Sequence, residues 1–261
     1  MNGMRRALAA TLSYLWSGWG AIASLCLFMA AWEWGAHVYG DLALPAPMAV
    51  FGRLGDMLVQ GGAWGELAVS ARRAMLGFAL ALAAGSLLGM LAGLSMTAAM
   101  VSRPLVTLLV GMPPIAWLVL AMLWFGTGDI TPVFTVLVAC FPVVFAAAMQ
   151  GARTLDGGLR DMARAYRLPR RLLFTELYLP HMLSYLFPAW ITALGSSWKV
   201  VVMAELLSAP DGVGAALAVS RSHLDTEASL AWIAAILGLL LAVEYLVLEP
   251  IKRRVERWRT A

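Results

Sequence analysis

The sequence predicts an all-α fold: a polytopic bundle of transmembrane helices with a helix-turn-helix projecting from it. Three observations predict this. Of 261 residues, 61% are hydrophobic and only 13% charged, and the mean hydropathy is +0.79, more apolar surface than one soluble core can enclose. The apolar residues fall in runs near the ~20 residues that cross a bilayer as a helix. The basic residues collect between alternate runs, an asymmetry that sets the orientation of a membrane protein.

Six spans are expected, at 18–38, 72–95, 104–125, 130–150, 184–207 and 229–249, within one transmembrane domain over residues 1–261. The first follows Arg5 and Arg6 as a secretory signal would, but its apolar run is too long and no small-residue cleavage site leads into a soluble domain. It is therefore read as retained. With the N-terminus cytoplasmic, six spans return the C-terminus to the cytoplasm. The inner side then holds Arg5, Arg6, Arg103, Arg153, Arg160, Arg164, Arg167, Arg170, Arg171 and the tail from Lys252 to Arg259, while the outer side holds Arg53, Arg72, Arg73 and Arg221. Arg72 and Arg73, at the outer start of the second span, are read as snorkelling toward headgroups. The net charge of +4 and the tail IKRRVERWR are read as lipid anchoring, with no nucleic-acid partner. Cys26 and Cys140 fall in separate spans and are read as packing residues.

In the second span, Gly85, Gly89 and Gly93 recur every fourth residue, a small-residue stripe that admits close approach of another helix. The stretch MTAAMVSRP after it is read as a short inner loop. In the third span, Pro113 and Pro114 remove two amide donors just before Trp117, which places this span toward the bundle interior, for packing or for contact with cargo. The fifth span carries Trp198, Lys199 and Glu205. An ion at mid-bilayer costs at least ~2.5 kcal/mol, so Lys199, Glu205 and Glu244 of the sixth span are expected to face protein or water. Six residues turn a helix by about 600°, which sets Lys199 and Glu205 on opposite faces.

The connection between spans four and five, residues 151–180, is polar, basic and helix-prone. Leu155, Leu159, Met162, Ala163 and Tyr166 recur at helical spacing, as do Leu172, Leu173, Leu177 and Leu179. Pro169 between the two sets restricts Leu168, so two short helices meeting at Arg167-Leu168-Pro169-Arg170 are expected. Such a pair either docks a cytosolic partner or lies on the anionic inner leaflet.

There is no Gly-x-x-x-x-Gly-Lys-Ser/Thr loop for binding ATP, and His37, His181 and His223 show no metal-ligand spacing. No nucleophile-base-acid set is present, so the chain is read as a non-enzyme with no metal or cofactor of its own.

The connecting passage resembles the EAA loop of ATP-binding-cassette importer permeases, with Asp161-Met162-Ala163 at the Glu-Ala-Ala position, Arg167 at the motif glycine and Leu177-Tyr178-Leu179-Pro180 at the downstream apolar Leu-Pro. Asp161 shortens the usual Glu, and Arg167 has poorer access than Gly to a left-handed turn. Three further segments resemble the nitrate, sulfonate and taurine branch of these permeases in matching order: LPAPMAV from Leu44, MPPIAWLVLAMLWFGTGD from Met112 and SSWKVVVMAELLSAPDGVGAAL from Ser196. The resemblance covers residues 40–255.

It implies the type I importer permease fold, in a bacterial inner membrane. It implies a coupling loop within 155–180 that docks a cytoplasmic ATPase through Asp161, Met162, Ala163, Tyr166, Arg167, Leu168, Pro169, Arg170 and Arg171. ATP and Mg would sit on that partner. It further implies an extracytoplasmic substrate-binding protein and a second permease copy. The residues themselves, rather than the resemblance, suggest a pathway involving Pro113, Pro114, Trp117, Trp198, Lys199 and Glu205; the resemblance assigns Glu205 no cargo-binding role. The cargo would be a small oxyanion such as a sulfonate, taurine or nitrate, or else another small metabolite such as a thiamine precursor. A secondary transporter using Lys199, Glu205 and Glu244 as a relay is the alternative, although the inverted repeats of such carriers are not evident.

Overall fold

Residues 2–60, 62–154 and 157–245 are described in a computed structural model. The side chains of Arg5, Arg6, Arg160, Arg164 and Arg170, and the basic tail beyond 245, lie outside that description, as does Leu155. The described residues are helical throughout their regular structure, with no strand among them. In chain order the helices are α1 (Asn2–Tyr39), α2 (Pro47–Val59), α3 (Gly62–Gly93), α4 (Met96–Gly111), α5 (Pro114–Phe125), α6 (Ile130–Arg153), α7 (Gly157–Ala165), α8 (Arg170–Leu172), α9 (Leu179–Ser208), α10 (Val213–Ser222) and α11 (Thr226–Val243). A π-helical turn, Leu173–Tyr178, joins α8 to α9.

Local chemistry sets the boundaries. Pro47 opens α2 and Pro114 opens α5, where a missing amide is harmless. Ser95 caps α4 by accepting from the Ala98 amide, and Asp225 caps α11 by accepting from Ala228 at 2.9 Å. Gly126 ends α5 at φ 74°. The indole of Trp32 in α1 donates to the Pro45 carbonyl at 3.0 Å, which ties the first helix to the turn before α2.

The centre of the bundle is the layer α3–α6–α9. Val136, Cys140, Val144 and Ala148 of α6 pack against Ala74, Phe78 and Ala81 of α3 on one side and against Leu194, Trp198 and Val201 of α9 on the other. The glycine stripe of α3 lies directly on α6. A Cβ at Gly89 would sit 2.3 Å from the Phe145 carbonyl oxygen, and one at Gly93 would sit 2.5 Å from Ala152 Cβ. At Gly85 it would approach Val144 Cβ at 2.9 Å. Gly77, one turn pair earlier, continues the stripe at 2.7 Å from the Val133 oxygen. In a bilayer, where apolar surface gains little from leaving lipid, this close contact is what holds two helices together.

Two expectations change, and the count of six spans is not confirmed. Among the described residues, four helices are long and apolar enough to cross a membrane: Gly62–Gly93, Ile130–Arg153, Leu173–Ser208 and Thr226–Val243. A fifth crossing exists only if α4 and α5 count as one broken span, so six are not found. The expected first span, 18–38, lies within the continuous helix α1, and residues 246–249 of the expected sixth lie outside the described residues. The expected third span, 104–125, is not one rod: its axis bends by 93° between α4 and α5. Met112 stands extended at ψ 126°, as a residue before proline must, and the two prolines leave the preceding carbonyls without donors. Finally, MTAAMVSRP is not a loop but the capped start of α4, which accommodates Pro104 inside it.

Candidate functional site

The passage 157–178 forms the expected helix pair at one end of the bundle. α7 buries Ala163 and leaves Met162 and Tyr166 exposed, and Asp161 is also on the surface. The break is a left-handed turn at Arg167, φ 49°. The Leu168 amide donates to the Ala163 carbonyl at 3.0 Å and the Tyr166 amide to Met162 at 3.0 Å, closing α7 with the Schellman pattern that glycine ordinarily serves. Arg167 thus holds, despite its side chain, a backbone conformation that favours glycine. After Pro169 the chain re-enters helix, with the Leu173 amide on the Pro169 carbonyl at 3.0 Å. The π turn falls just before Pro180, whose missing amide disrupts the α-helical register there. Leu172 and Phe174 are exposed beside it.

At the opposite end of α3 and α9 sits a buried ion cluster that the sequence reading missed. Arg73 was expected to snorkel outward. Instead it is 1% exposed and points into the protein. Its Nη1 donates to Glu205 Oε1 at 3.1 Å and to the Asp211 carbonyl at 2.7 Å, and its Nε donates to Asp129 Oδ1 at 2.7 Å. Its Nη2 also reaches the carboxylates of Asp129 and Asp211. Glu205, fully buried, accepts from Ser70 Oγ at 2.6 Å and from the Gly214 amide at 3.1 Å. Ser70 Oγ in turn accepts from the Val213 amide at 2.8 Å, and Glu66 accepts from the Gly212 amide.

Only Arg72 remains at the surface, donating to Asp129 at 2.6 Å. The hydrogen bond from Arg73, aided by the Arg72 charge, holds the Asp129 carboxyl below its usual range. Gly212, at φ 96°, lies against the Glu205 carboxylate so closely that a Cβ would meet it at 2.6 Å. The cluster ties α3, the α5–α6 turn, α9 and the start of α10 into one unit. Its signals in the sequence were an arginine facing an apolar span and two aspartates in glycine turns, GTGD and APDGVG.

The residues expected to line a pathway do not form one group. Pro113 and Pro114 are exposed at the α4–α5 break, and Trp117 is half-buried on α5. Trp198 is packed in the core and Glu205 is closed inside the ion cluster, which removes it from a proton relay. Lys199 lies on another face of α9, about 120° around the helix from Glu205, and is exposed. It lines an open pocket of about 190 Å³ together with Thr192 and Ser196 of α9, Leu240 of α11, and Glu244 just beyond it. Among the described residues no cluster of His, Cys, Asp or Glu suits a metal ion.

This architecture has counterparts among known proteins. The chain is 28% identical to the taurine transport system permease protein TauC of Escherichia coli K12, over 95% of this chain and 88% of that one. It is 27% identical to the nitrate import permease protein NrtB of Leptolyngbya laminosa, over 82% of each. A chain of the MetNI methionine transporter, solved in inward-facing conformations, superposes with a TM-score of 0.55 over 77% of this chain and 95% of its own, at 20% identity, and so shares the fold. Residues 85–260 match the family described as the inner membrane component of binding-protein-dependent transport systems. That match takes in the end of α3, all of α6 and α9, the helix pair at 157–178 and the ion-cluster residues Asp129, Glu205 and Asp211, and the chain belongs to this family of importer permeases.

Proposed function

We propose that this chain forms half of the pathway by which a small oxyanion-bearing solute crosses the bacterial inner membrane, driven by ATP hydrolysed on a separate subunit. The observation that carries the reading is the helix pair at 157–178: a short helix with exposed Met162 and Tyr166, locked by the Arg167 turn and joined through α8 and the π turn to the long helix α9. An apolar knob set among charges on a stiff projection suits insertion into a groove of a protein partner. A leaflet-bound hairpin would instead turn a continuous apolar face to the lipid.

In this reading the helix pair and both termini are cytoplasmic. Asp161, Met162, Ala163, Tyr166, Arg167, Leu168, Pro169, Arg170 and Arg171 contact the ATPase, which holds ATP and Mg. A second copy of the chain completes the pathway, and a binding protein delivers the solute at the end where the ion cluster lies. Closure of the two ATPases draws the coupling helices together and opens the bundle outward, and hydrolysis resets it. The names of the relatives support taurine-like sulfonates or nitrate as cargo.

The test is co-purification of the tagged chain with its ATPase subunit in mild detergent, with ATP hydrolysis measured on the product. Reversing the charges at Arg170 and Arg171, or replacing Met162 and Leu168 by Asp, should remove the ATPase while the permease still elutes as a folded, monodisperse species. Retention of a fully active ATPase by both variants would refute the docking assignment.

A further inference from the structure

Lys199 is an exposed ammonium on α9, on a face it shares with the hydroxyls of Thr192 and Ser196. It precedes Ser208 by nine residues, about 14 Å of helical rise, more than its four-carbon stem covers, so it does not reach the interface by snorkelling. It cannot rest against acyl chains without the full cost of a charge in hydrocarbon. Glu244, from the far end of α11, lines the same pocket. Lys199 and Glu244 form no ion pair with each other, nor with any other described residue. Two opposite charges that share a pocket of about 190 Å³ without closing on one another leave a gap with a positive and a negative wall.

The hydroxyls in the pocket agree with this polarity. Thr192 Oγ1 donates to the Pro188 carbonyl at 3.0 Å and Ser196 Oγ to the Thr192 carbonyl at 2.9 Å. Their protons are therefore committed to the backbone, and each oxygen presents lone pairs, which accept from a protonated amine. The other polar face of α9, around Glu205, is sealed by Arg73, Ser70 and the Gly214 amide. In the half of α9 beyond Pro188, the open polar surface is thus the pocket.

We infer that the pocket between α9 and the end of α11 is a cargo site for a small zwitterion, holding its oxyanion against Lys199 and its protonated amine against Glu244, Thr192 and Ser196. This deepens the importer reading and rests on it. A simple anion such as nitrate gains at Lys199 and loses at Glu244. An amino-sulfonate such as taurine gains at both.

The experiment is uptake into proteoliposomes holding the permease, its ATPase and its binding protein, with taurine and ethanesulfonate, its analogue lacking the amine, as probes. Each variant is compared with the wild type using the same binding protein, so the selectivity of that protein cancels. Glu244→Gln should lower taurine uptake at least tenfold while ethanesulfonate uptake holds or rises. Lys199→Gln should lower both, and Lys199→Arg and Glu244→Asp should restore much of each. All four variants should still copurify with the ATPase, which shows that the bundle and its coupling helices have folded. Equal losses of both probes in Glu244→Gln, or no change in either variant, would overturn the site. So would a wild-type complex that hydrolyses ATP but carries neither probe. Uptake that persists without the ATPase would instead refute the importer reading itself.

Discussion

Arg73 and Glu205 offer an asymmetric test of the ion cluster. Replacing Arg73 by Met removes a cation of matching length and leaves Glu205, which is 0% exposed, as a charge with only Ser70 and the Gly214 amide for company. Breaking a buried pair in this way costs about 3–5 kcal/mol. Asp129 keeps Arg72, and both it and Asp211, with side chains 53% and 52% exposed, take water in place of Arg73. Glu205→Met is milder, because Arg73 keeps both aspartates and only the hydrogen bonds from Ser70 and Gly214 are orphaned, at about 1–3 kcal/mol. The double variant Arg73→Met/Glu205→Met removes the stranded charge together with its partner, and such replacements are often close to neutral. It should therefore be more stable than Arg73→Met alone. The assay is equilibrium unfolding in mixed micelles of mild detergent and SDS, followed by helicity and by tryptophan fluorescence, with the cycle closed over four proteins. Additive losses, or an Arg73→Met protein no weaker than Glu205→Met, would show that Glu205 is not held by Arg73 and would refute the cluster as the clamp at this end of the bundle.

The same unfolding assay should show Gly89→Ala weakened by about 1–3 kcal/mol, since the new Cβ would lie 2.3 Å from a backbone oxygen that cannot swing aside; an unchanged midpoint would mean that α3 and α6 are not in contact there. Arg167→Gly should slow proteolytic cleavage between α7 and α8, by removing a left-handed non-glycine residue that costs about 1–2 kcal/mol, whereas Arg167→Val should speed it; the opposite order would mean that the turn is not left-handed. Because Arg73 and Arg72 depress the Asp129 carboxyl, that group adds stability that is full above an ordinary carboxylate value of about 3.9 and is lost as pH falls through its lower folded value. The Asp129→Asn protein should therefore show a shallower acid-side loss, and an identical acid limb in the two proteins would rule out this contribution.

The membrane class, the helix pair and the α3 stripe were legible because each has a periodic or compositional signature: long apolar runs, two leucine sets split by Pro169, glycine every fourth residue. The ion cluster was not. Its members come from positions 66, 70, 73, 129, 205, 211 and 214, and nothing local distinguishes an arginine that turns inward from one that reaches for headgroups. Glu205 is expected to face protein or water, but the sequence names no partner for it, because Arg73 lies 132 residues away. The break in the third span was hidden for a related reason. Hydropathy sees the run through α4 and α5 as one span, whereas the Met112-Pro113-Pro114 conformation folds it by 93°. At Arg167 the rule that disfavours left-handed arginine was outweighed by the two amide bonds that close α7.

The position of the ion cluster bears on how motion at the helix pair would reach the pocket. α9 is fixed near one end by Glu205 and continues at its other end into the π turn and α8. Lys199 lies six residues from Glu205, about 9 Å, and Leu179 lies 26 residues away, about 39 Å. If α9 pivoted as a rigid rod about the clamp, a shift of about 4 Å at Leu179 would move Lys199 by only about 1 Å. Pro188 sits inside α9 between the two, and a proline hinge would shorten the moving arm further. Either way the anion end of the pocket stays nearly still. Glu244 belongs to a different helix, and the ion cluster does not include α11. A pocket with one wall tied to the clamp and the other free of it changes width by displacement of the Glu244 side, so the amine contact, rather than the oxyanion contact, is the one that a conformational cycle would make and break.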